Sequence, residues 1–315
     1  MKIAVVIPSY KVKRHVLGVL EKIGPEVSAV YVVDDCCPEG SGEYVARECR
    51  DPRVRVVRLE RNRGVGGATM AGYEAAFKDG ADVAVKLDGD GQMDPSRIRD
   101  LVRPIEQGRA DYSKGNRFYS IEALASMPLI RLIGNSGLSF LTKLSSGYWN
   151  VMDPTNGFTA LHRTAFGLLP LGKIENRYFF ESDLLFRLNT VRAVVADVPF
   201  EAVYGDEVSN LDVRKALFEF GFRHLARIHK RVFYNYILRD FNAVSFQLIF
   251  GMLFFLGGAT LGIWKWVQGS LMGQPATSGT VMLAALPVIL GFQMLLGALQ
   301  LDVQNMPRVP LQSGK

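Results

Sequence analysis

The chain has 315 residues, 48% hydrophobic and 22% charged, with 37 Lys and Arg against 31 Asp and Glu. This composition excludes a disordered chain, a collagen-like repeat and a small disulfide scaffold. Three cysteines, Cys36, Cys37 and Cys49, cannot all pair and fit a reducing compartment, while a net charge of +6 matters more by its placement than by its size.

The opening MKIAVVIPSY passes straight into strand alternation, which predicts no cleavable signal peptide. Four apolar runs, KIAVVIP (2–8), AVYVVDD (29–35), VRVVRLE (54–60) and DVAVKLD (82–88), read as strands. Between them, 14–23, 41–50, 67–79 and 95–107 read as helices. Strand and helix in alternation predict a mostly parallel sheet with right-handed crossovers, whose ligands sit beyond the carboxyl ends of the strands.

Four polar clusters fall at those ends: Pro8-Ser9-Tyr10, Asp34-Asp35, the glycine turn Asn62-Arg63-Gly64-Val65-Gly66-Gly67-Ala68, and Asp88-Gly89-Asp90-Gly91-Gln92. Asp88 and Asp90, two residues apart, share one side of an extended chain. Two close carboxylates resist joint ionisation without a cation, and a divalent ion that also takes diphosphate oxygens suits such a pair. A solvated acidic loop is the plain alternative, and the intervening glycines favour a ligand approaching the backbone. Asp34 or Asp35 is placed to accept hydrogen bonds from a nucleoside. The glycine turn has no Gly-Lys-Ser/Thr and so is no Walker loop. His15, His162, His224 and His229 are scattered without zinc spacing, and no nucleophile-elbow sequence is present.

The last third changes character. Between Asp240 and Lys265, and again between Lys265 and Asp302, no charged residue occurs, and each interval holds an apolar run of about 20 residues, the length of a membrane-spanning helix. The stretch before them interleaves Arg214, Lys215, Arg223, Arg227, Lys230, Arg231 and Arg239 with Phe, Leu and Tyr, the pattern of interfacial helices on an anionic leaflet. The connection VQGSLMGQPATSG is uncharged, so the positive-inside rule predicts a multi-pass protein of the cytoplasmic membrane with catalytic domain and both termini in the cytoplasm. Small residues Gly257, Gly258, Gly262, Gly291 and Gly297 suit helix packing and homo-oligomerisation.

Taken in order, VVIPSY, VVDD, NRGVGGA, KLDGDGQMDP, GNRF and DPTNGF resemble the family 2 inverting glycosyltransferases. Within them the resemblance is greatest to the polyprenyl-phosphate sugar synthases, the group of dolichyl-phosphate mannose synthase and bacterial undecaprenyl-phosphate glycosyltransferases. It implies a GT-A nucleotide-diphospho-sugar transferase fold, a Rossmann-like mixed α/β sheet, over 1–211. Amphipathic juxtamembrane helices (212–241), two transmembrane helices with a short external loop (242–304) and a cytosolic tail (305–315) would follow. Carried over by motif, Pro8, Tyr10, Asp34, Asp35, Gly64, Gly67, Asp88, Gly89 and Asn156 would bind the nucleotide sugar. Asp88, Asp90 and Gln92 would hold Mg²⁺ or Mn²⁺. Arg117, Arg131 and Asn135 would take the acceptor phosphate, and Asp153, Glu181 and Asp183 would stand at the reaction centre. The stretch 204–211 lacks the basic residues that mannose synthases show there, with Arg214 and Lys215 as substitutes, and the amphipathic 124–148 segment would receive the prenyl chain.

The activity implied is inverting sugar transfer from a UDP- or GDP-linked donor to polyprenyl phosphate, with the bilayer as partner and no nucleic acid. A processive polysaccharide synthase would need more spans and a Gln-Xaa-Xaa-Arg-Trp segment. A transferase to a hydroxyl lipid would need a true general base. A membrane-tethered nucleotide sensor would have no use for the Asp88–Asp90 pair.

Overall fold

The computed structural model describes residues 1–119, 129–200 and 213–314. The 204–211 stretch and the side chains of Arg131, Arg214 and Lys215 lie outside the described residues. The chain divides into two compact units, Met1–His229 with Pro307–Lys315, and Lys230–Met306.

The first unit is built on a seven-stranded sheet: β1 (Ile3–Ser9), β2 (Val27–Asp34), β3 (Val54–Arg58), β4 (Val83–Lys86), β5 (Tyr112–Asn116), β6 (Thr159–His162) and β7 (Val195–Pro199). The order is β3-β2-β1-β4-β6-β5-β7. The first four strands are the four read from the sequence, and they run parallel, as does the β5–β7 pair. β6 runs antiparallel to both of its neighbours, which makes the sheet mixed. Early helices lie where the periodicity placed them: α1 (Val16–Glu21), α2 (Ser41–Glu48), α3 (Gly64–Lys78) and α4 (Ile98–Glu106). They are followed by α5 (Leu129–Ser146), α6 (Arg163–Leu168), α7 (Phe180–Thr190) and α8 (Val213–Phe233).

Strands β1, β2 and β4 are buried almost throughout, so they read as continuous apolar runs, and one core cluster lies on each face of the sheet. Gly72 of α3 explains the close helix–sheet approach, since a Cβ there would meet the side chains of Val6 and Val33.

Two features of this unit were not legible from periodicity. In the docked part of α8, Arg223 and Arg227 pair with Glu175 and Asp183, so these two basic residues are committed to protein carboxylates, not to lipid phosphates. The segment after the second span also returns to the sheet. The backbone N–H groups of Leu311 and Gln312 donate to the buried Asp111 carboxylate (3.0 and 3.2 Å), which also accepts from Val194 N–H.

The second unit holds α9 (Ala243–Met272) and α10 (Ser278–Gln304), both long and apolar enough to cross a membrane. At about 1.5 Å per residue each exceeds a hydrocarbon core of about 30 Å. Asn242 begins α9 with a capping box, and Gly273, in the left-handed region, ends it. The helices meet through glycine: a Cβ on Gly258 would meet the Ala284 carbonyl, and one on Gly291 would meet the Phe255 and Gly251 backbones. Arg231 forms a two-point ion pair with Asp302 (2.6 and 3.0 Å), a third basic residue spent inside the protein.

Candidate active site

The carboxyl ends of β1, β2 and β4 surround a cavity of about 440 Å³ lined by Pro8, Ser9, Tyr10, Asp35, Gly64, Asp88, Gly89 and Asp90, with Arg177 and Tyr178 opposite. Seven sequence-predicted residues therefore share one cleft, where a parallel sheet binds its ligands.

Asp34 and Asp35 separate cleanly. Successive residues of an extended chain face opposite sides. Asp34 turns to the Cys37 N–H (2.9 Å) and packs over Gly42, so its carboxylate caps a turn and does not line the cleft. Asp35 lines the cleft and accepts from the Arg63 and Gly64 N–H groups (2.6 and 2.8 Å), tying the glycine turn to the strand end. That turn in turn docks on 175–177: Gly66 and Gly67 N–H both donate to the Asn176 carbonyl. Gly64 has φ +80°, and a Cβ on Gly64 or Gly66 would meet the backbone of that segment. The glycines thus serve close packing, and Gly67 faces a neighbouring basic hollow, away from the Asp88 cleft.

A second cavity of about 280 Å³ adjoins the first through Asp88, Val65 and Tyr178, and adds Lys86, Thr155, Gly157 and Glu181. Lys86 is 1% exposed; its ammonium donates to Asp88 Oδ1 (2.7 Å) and lies 3.5 Å from Glu181 Oε1. Burial alone would pull its pKa down, but the carboxylates of Asp88 and Glu181 outweigh that and hold it above the ordinary lysine value. Lys114, also buried, donates to the Asn156 carbonyl, and burial drags it down to about 8 against the pull of Glu181 and Asp153. Lys86 and Lys114 both pair in register with Thr159 of β6, so the two lysines and this threonine form one row across three strands. Sequence reasoning passed over both lysines. For Lys86 the signal was a lysine ending the apolar run VAVK, where nothing but a partner carboxylate or carbonyl permits burial; Lys114, in the half-polar YSKGN, carried no such signal.

The remaining predicted residues divide. Asp153, fully buried, accepts from Arg117 Nε (2.7 Å), Arg117 Nη2 (3.2 Å) and Thr155 Oγ1 (3.2 Å). It orients Arg117 and is not open to a reacting group. Arg117 reaches a small hollow with Gln92 and Asn156, so Gln92 stands beside Arg117, while its backbone N–H donates to Asp90 (3.0 Å). Asn135 of α5 lines an apolar cavity of about 330 Å³ with Phe118, Leu132, Phe140, Lys143 and Met152. The expected placement of Asp183 beside Glu181 is corrected. Its carboxylate is fully buried and is held by Arg187 (2.8 Å), Arg227 (2.5 Å) and the Glu175 N–H (3.0 Å). On a helix, residues two apart point to nearly opposite faces.

The cleft fits a nucleotide sugar with a divalent ion. Ser9 Oγ is buried at its wall without a hydrogen-bond partner, a donor available to a ligand. Two carboxylates, Asp88 and Asp90, reach the same space. Among the described residues no group of three or more His, Cys, Asp or Glu side chains could hold a metal, so Asp88 and Asp90 would leave most of an ion's shell to water and to oxygens such as those of a diphosphate.

Comparison with known proteins agrees with this geometry. The Glycosyl transferase family 2 model matches residues 4–168. The chain is 35% identical over 152 residues to the UDP-N-acetylglucosamine–dolichyl-phosphate N-acetylglucosaminyltransferase of Methanococcus voltae, covering 48% of this chain and 60% of that relative. It is 30% identical over 208 residues to the undecaprenyl-phosphate mannosyltransferase of Micrococcus luteus, covering 64% and 84%. The fold is that of glucosyl-3-phosphoglycerate synthase from Mycobacterium tuberculosis, solved with Mn²⁺, UDP and glucosyl-3-phosphoglycerate (TM-score 0.51, 19% identity, 73% of this chain and 79% of that one). This is the GT-A fold, and the chain belongs to the family 2 glycosyltransferases.

Proposed function

We propose that the chain transfers a sugar from a UDP- or GDP-linked donor to polyprenyl phosphate, inverting the anomeric configuration, at the cytoplasmic face of a membrane. One observation carries this reading. The same unit joins an acidic strand-end cleft to a positioned arginine, Arg117, and an apolar cavity along α5, on a chain with two helices long enough to span a bilayer. The names of the relatives, with dolichyl-phosphate and undecaprenyl-phosphate acceptors, support it.

The donor diphosphate lies beside Asp88 and Asp90, with Asp35 fixing the glycine turn and Ser9, Pro8 and Tyr10 at the nucleoside. A phosphate oxygen of the acceptor bonds to the anomeric carbon as the bond from that carbon to the diphosphate oxygen breaks, and the nucleoside diphosphate leaves with the electron pair. The nucleophile is already an anion, so no strong base is required. Its approach to the diphosphate is the costly part: two unit charges 4 Å apart repel by about 4 kcal/mol at an effective dielectric near 20. Arg117, held in place by Asp153, offsets that repulsion. Bound Mg²⁺ or Mn²⁺, held by Asp88 and Asp90, supplies positive charge to the leaving diphosphate. The charge-free loop between α9 and α10 and the basic flank before α9 support a cytoplasmic side for the hairpin's two flanks.

Detergent-purified protein with undecaprenyl phosphate and a panel of labelled UDP- and GDP-sugars tests this. Label should enter the lipid phase from one donor and be lost with EDTA and in Asp90→Ala. Nucleotide binding without transfer from any donor would contradict it.

A further inference from the structure

Lys86 belongs to none of the residues assigned to substrate or metal, yet it is a buried charge on the wall of the catalytic cleft. Its ammonium stands between two carboxylates, Asp88 and Glu181, and 3.4 Å from the Gly157 carbonyl. Room for this arrangement is built in, because a Cβ on Gly157 would meet both Lys86 Nζ and Asp88 Oδ2. At 1% exposure Lys86 has little contact with water, and the two flanking carboxylates are what keep its charge in the site. Asp88 and Glu181 are 29% and 14% exposed, so both carboxylates are far more open to the cavity than the 1% exposed lysine they share.

Resting on the reading of Asp88 and Asp90 as the metal-holding pair, we infer that Lys86 is a positioning residue that acts as resident counter-ion of Asp88 and Glu181. Without substrate, its ammonium neutralises the carboxylates that would otherwise draw a free divalent cation into the cleft. The diphosphate of the donor adds two or more negative charges and its own oxygens, and the balance then favours the cation. Metal binding thereby becomes conditional on nucleotide binding. The protein's own ligand set points the same way, since among the described residues no third acidic or imidazole group joins the pair. The fixed ammonium also aims Asp88, one oxygen of which remains for the ion.

The test is Mn²⁺ binding, followed by the EPR signal of free Mn²⁺, for the full-length wild type, Lys86→Met and Lys86→Arg, each with and without UDP or GDP. Wild type should bind Mn²⁺ at least tenfold more tightly with one of the nucleotides than alone. Lys86→Met should bind nucleotide-free Mn²⁺ at least tenfold more tightly than wild type, shrinking that coupling, and Lys86→Arg should retain it. A folded Lys86→Met whose nucleotide-free Mn²⁺ affinity is unchanged or weaker overturns the inference. Wild type that takes up no Mn²⁺ even with either nucleotide overturns the metal reading beneath it, a distinguishable failure. Should Lys86→Met not fold, Glu181→Gln reads the same network. Leaving the ammonium to Asp88 alone should weaken nucleotide-dependent Mn²⁺ binding threefold or more, and an unchanged affinity overturns the inference.

Discussion

Asp153, Glu181 and Asp183 are chemically alike, and their neighbours give them different work. Asp153 is buried against Arg117, so its charge serves to hold a cation. Asp153→Asn should raise the acceptor KM about tenfold and leave the donor KM unchanged, the loss of about 1–2 kcal/mol expected of a charge-assisted hydrogen bond. Steady-state kinetics with each substrate varied in turn checks this; a collapse of kcat with loss of the acidic limb of the pH–rate profile would make Asp153 the base instead. Asp183→Asn should act on stability alone. It leaves Arg187 and Arg227 short of their buried partner, a cost of about 3 kcal/mol, with turnover per folded molecule retained. Sequence alone grouped the three because motif position does not say which face of a turn or helix a side chain takes. The same limit left Asp34 and Asp35 as alternatives until the strand end showed one facing the cleft and the other α2. Asp88 and Asp90 were legible because their signal, polar residues following an apolar strand, depends on chain order alone, and Pro8 and Tyr10 came with the motif order of the family.

Among the elements, β1 to β4 and their helices could be read directly, since long apolar runs and amphipathic stretches alternate there. Strands β5 and β6 could not: YSKGN and TALH are short and half polar, and both take their place from pairing with neighbours distant in sequence. Helix α8 was legible as basic and amphipathic, but its partners were not. Its His224 is fully buried; Nδ1 lies 2.8 Å from Ser145 Oγ of α5. Burial, with Arg227 adding to it, pushes its pKa down to about 4, so the folded chain keeps His224 neutral where the unfolded chain takes up a proton. The stability from this neutral histidine is present above about pH 6.5 and is lost as pH falls towards 4, up to about 3 kcal/mol in all. Melting temperature measured across that window should fall for the wild type and fall less for His224→Phe. Equal slopes would contradict the assignment.

At the scale of the whole molecule, the two apolar helices were legible from length and the absence of charge, whereas the glycines that join them were not separable in sequence. Gly291 faces the backbone of α9, while nothing lies within 4 Å of a Cβ on Gly257. Gly291→Leu should therefore lower the melting temperature in detergent by several degrees, and Gly257→Leu should leave it unchanged. An equal effect of both would place the contact elsewhere. The return of Leu311 and Gln312 to Asp111 was also beyond sequence reasoning, because backbone N–H donors carry no residue signature. What joins cleft, arginine, apolar cavity and spans into one account is the claim that a lipid phosphate, already anionic, is the nucleophile. The most direct test offers the purified enzyme equal amounts of polyprenyl phosphate and the corresponding polyprenol, with the labelled donor it accepts, and identifies the labelled lipid. Label on polyprenyl phosphate alone, released again by mild acid as a sugar, is the result predicted; label on the free alcohol would contradict it.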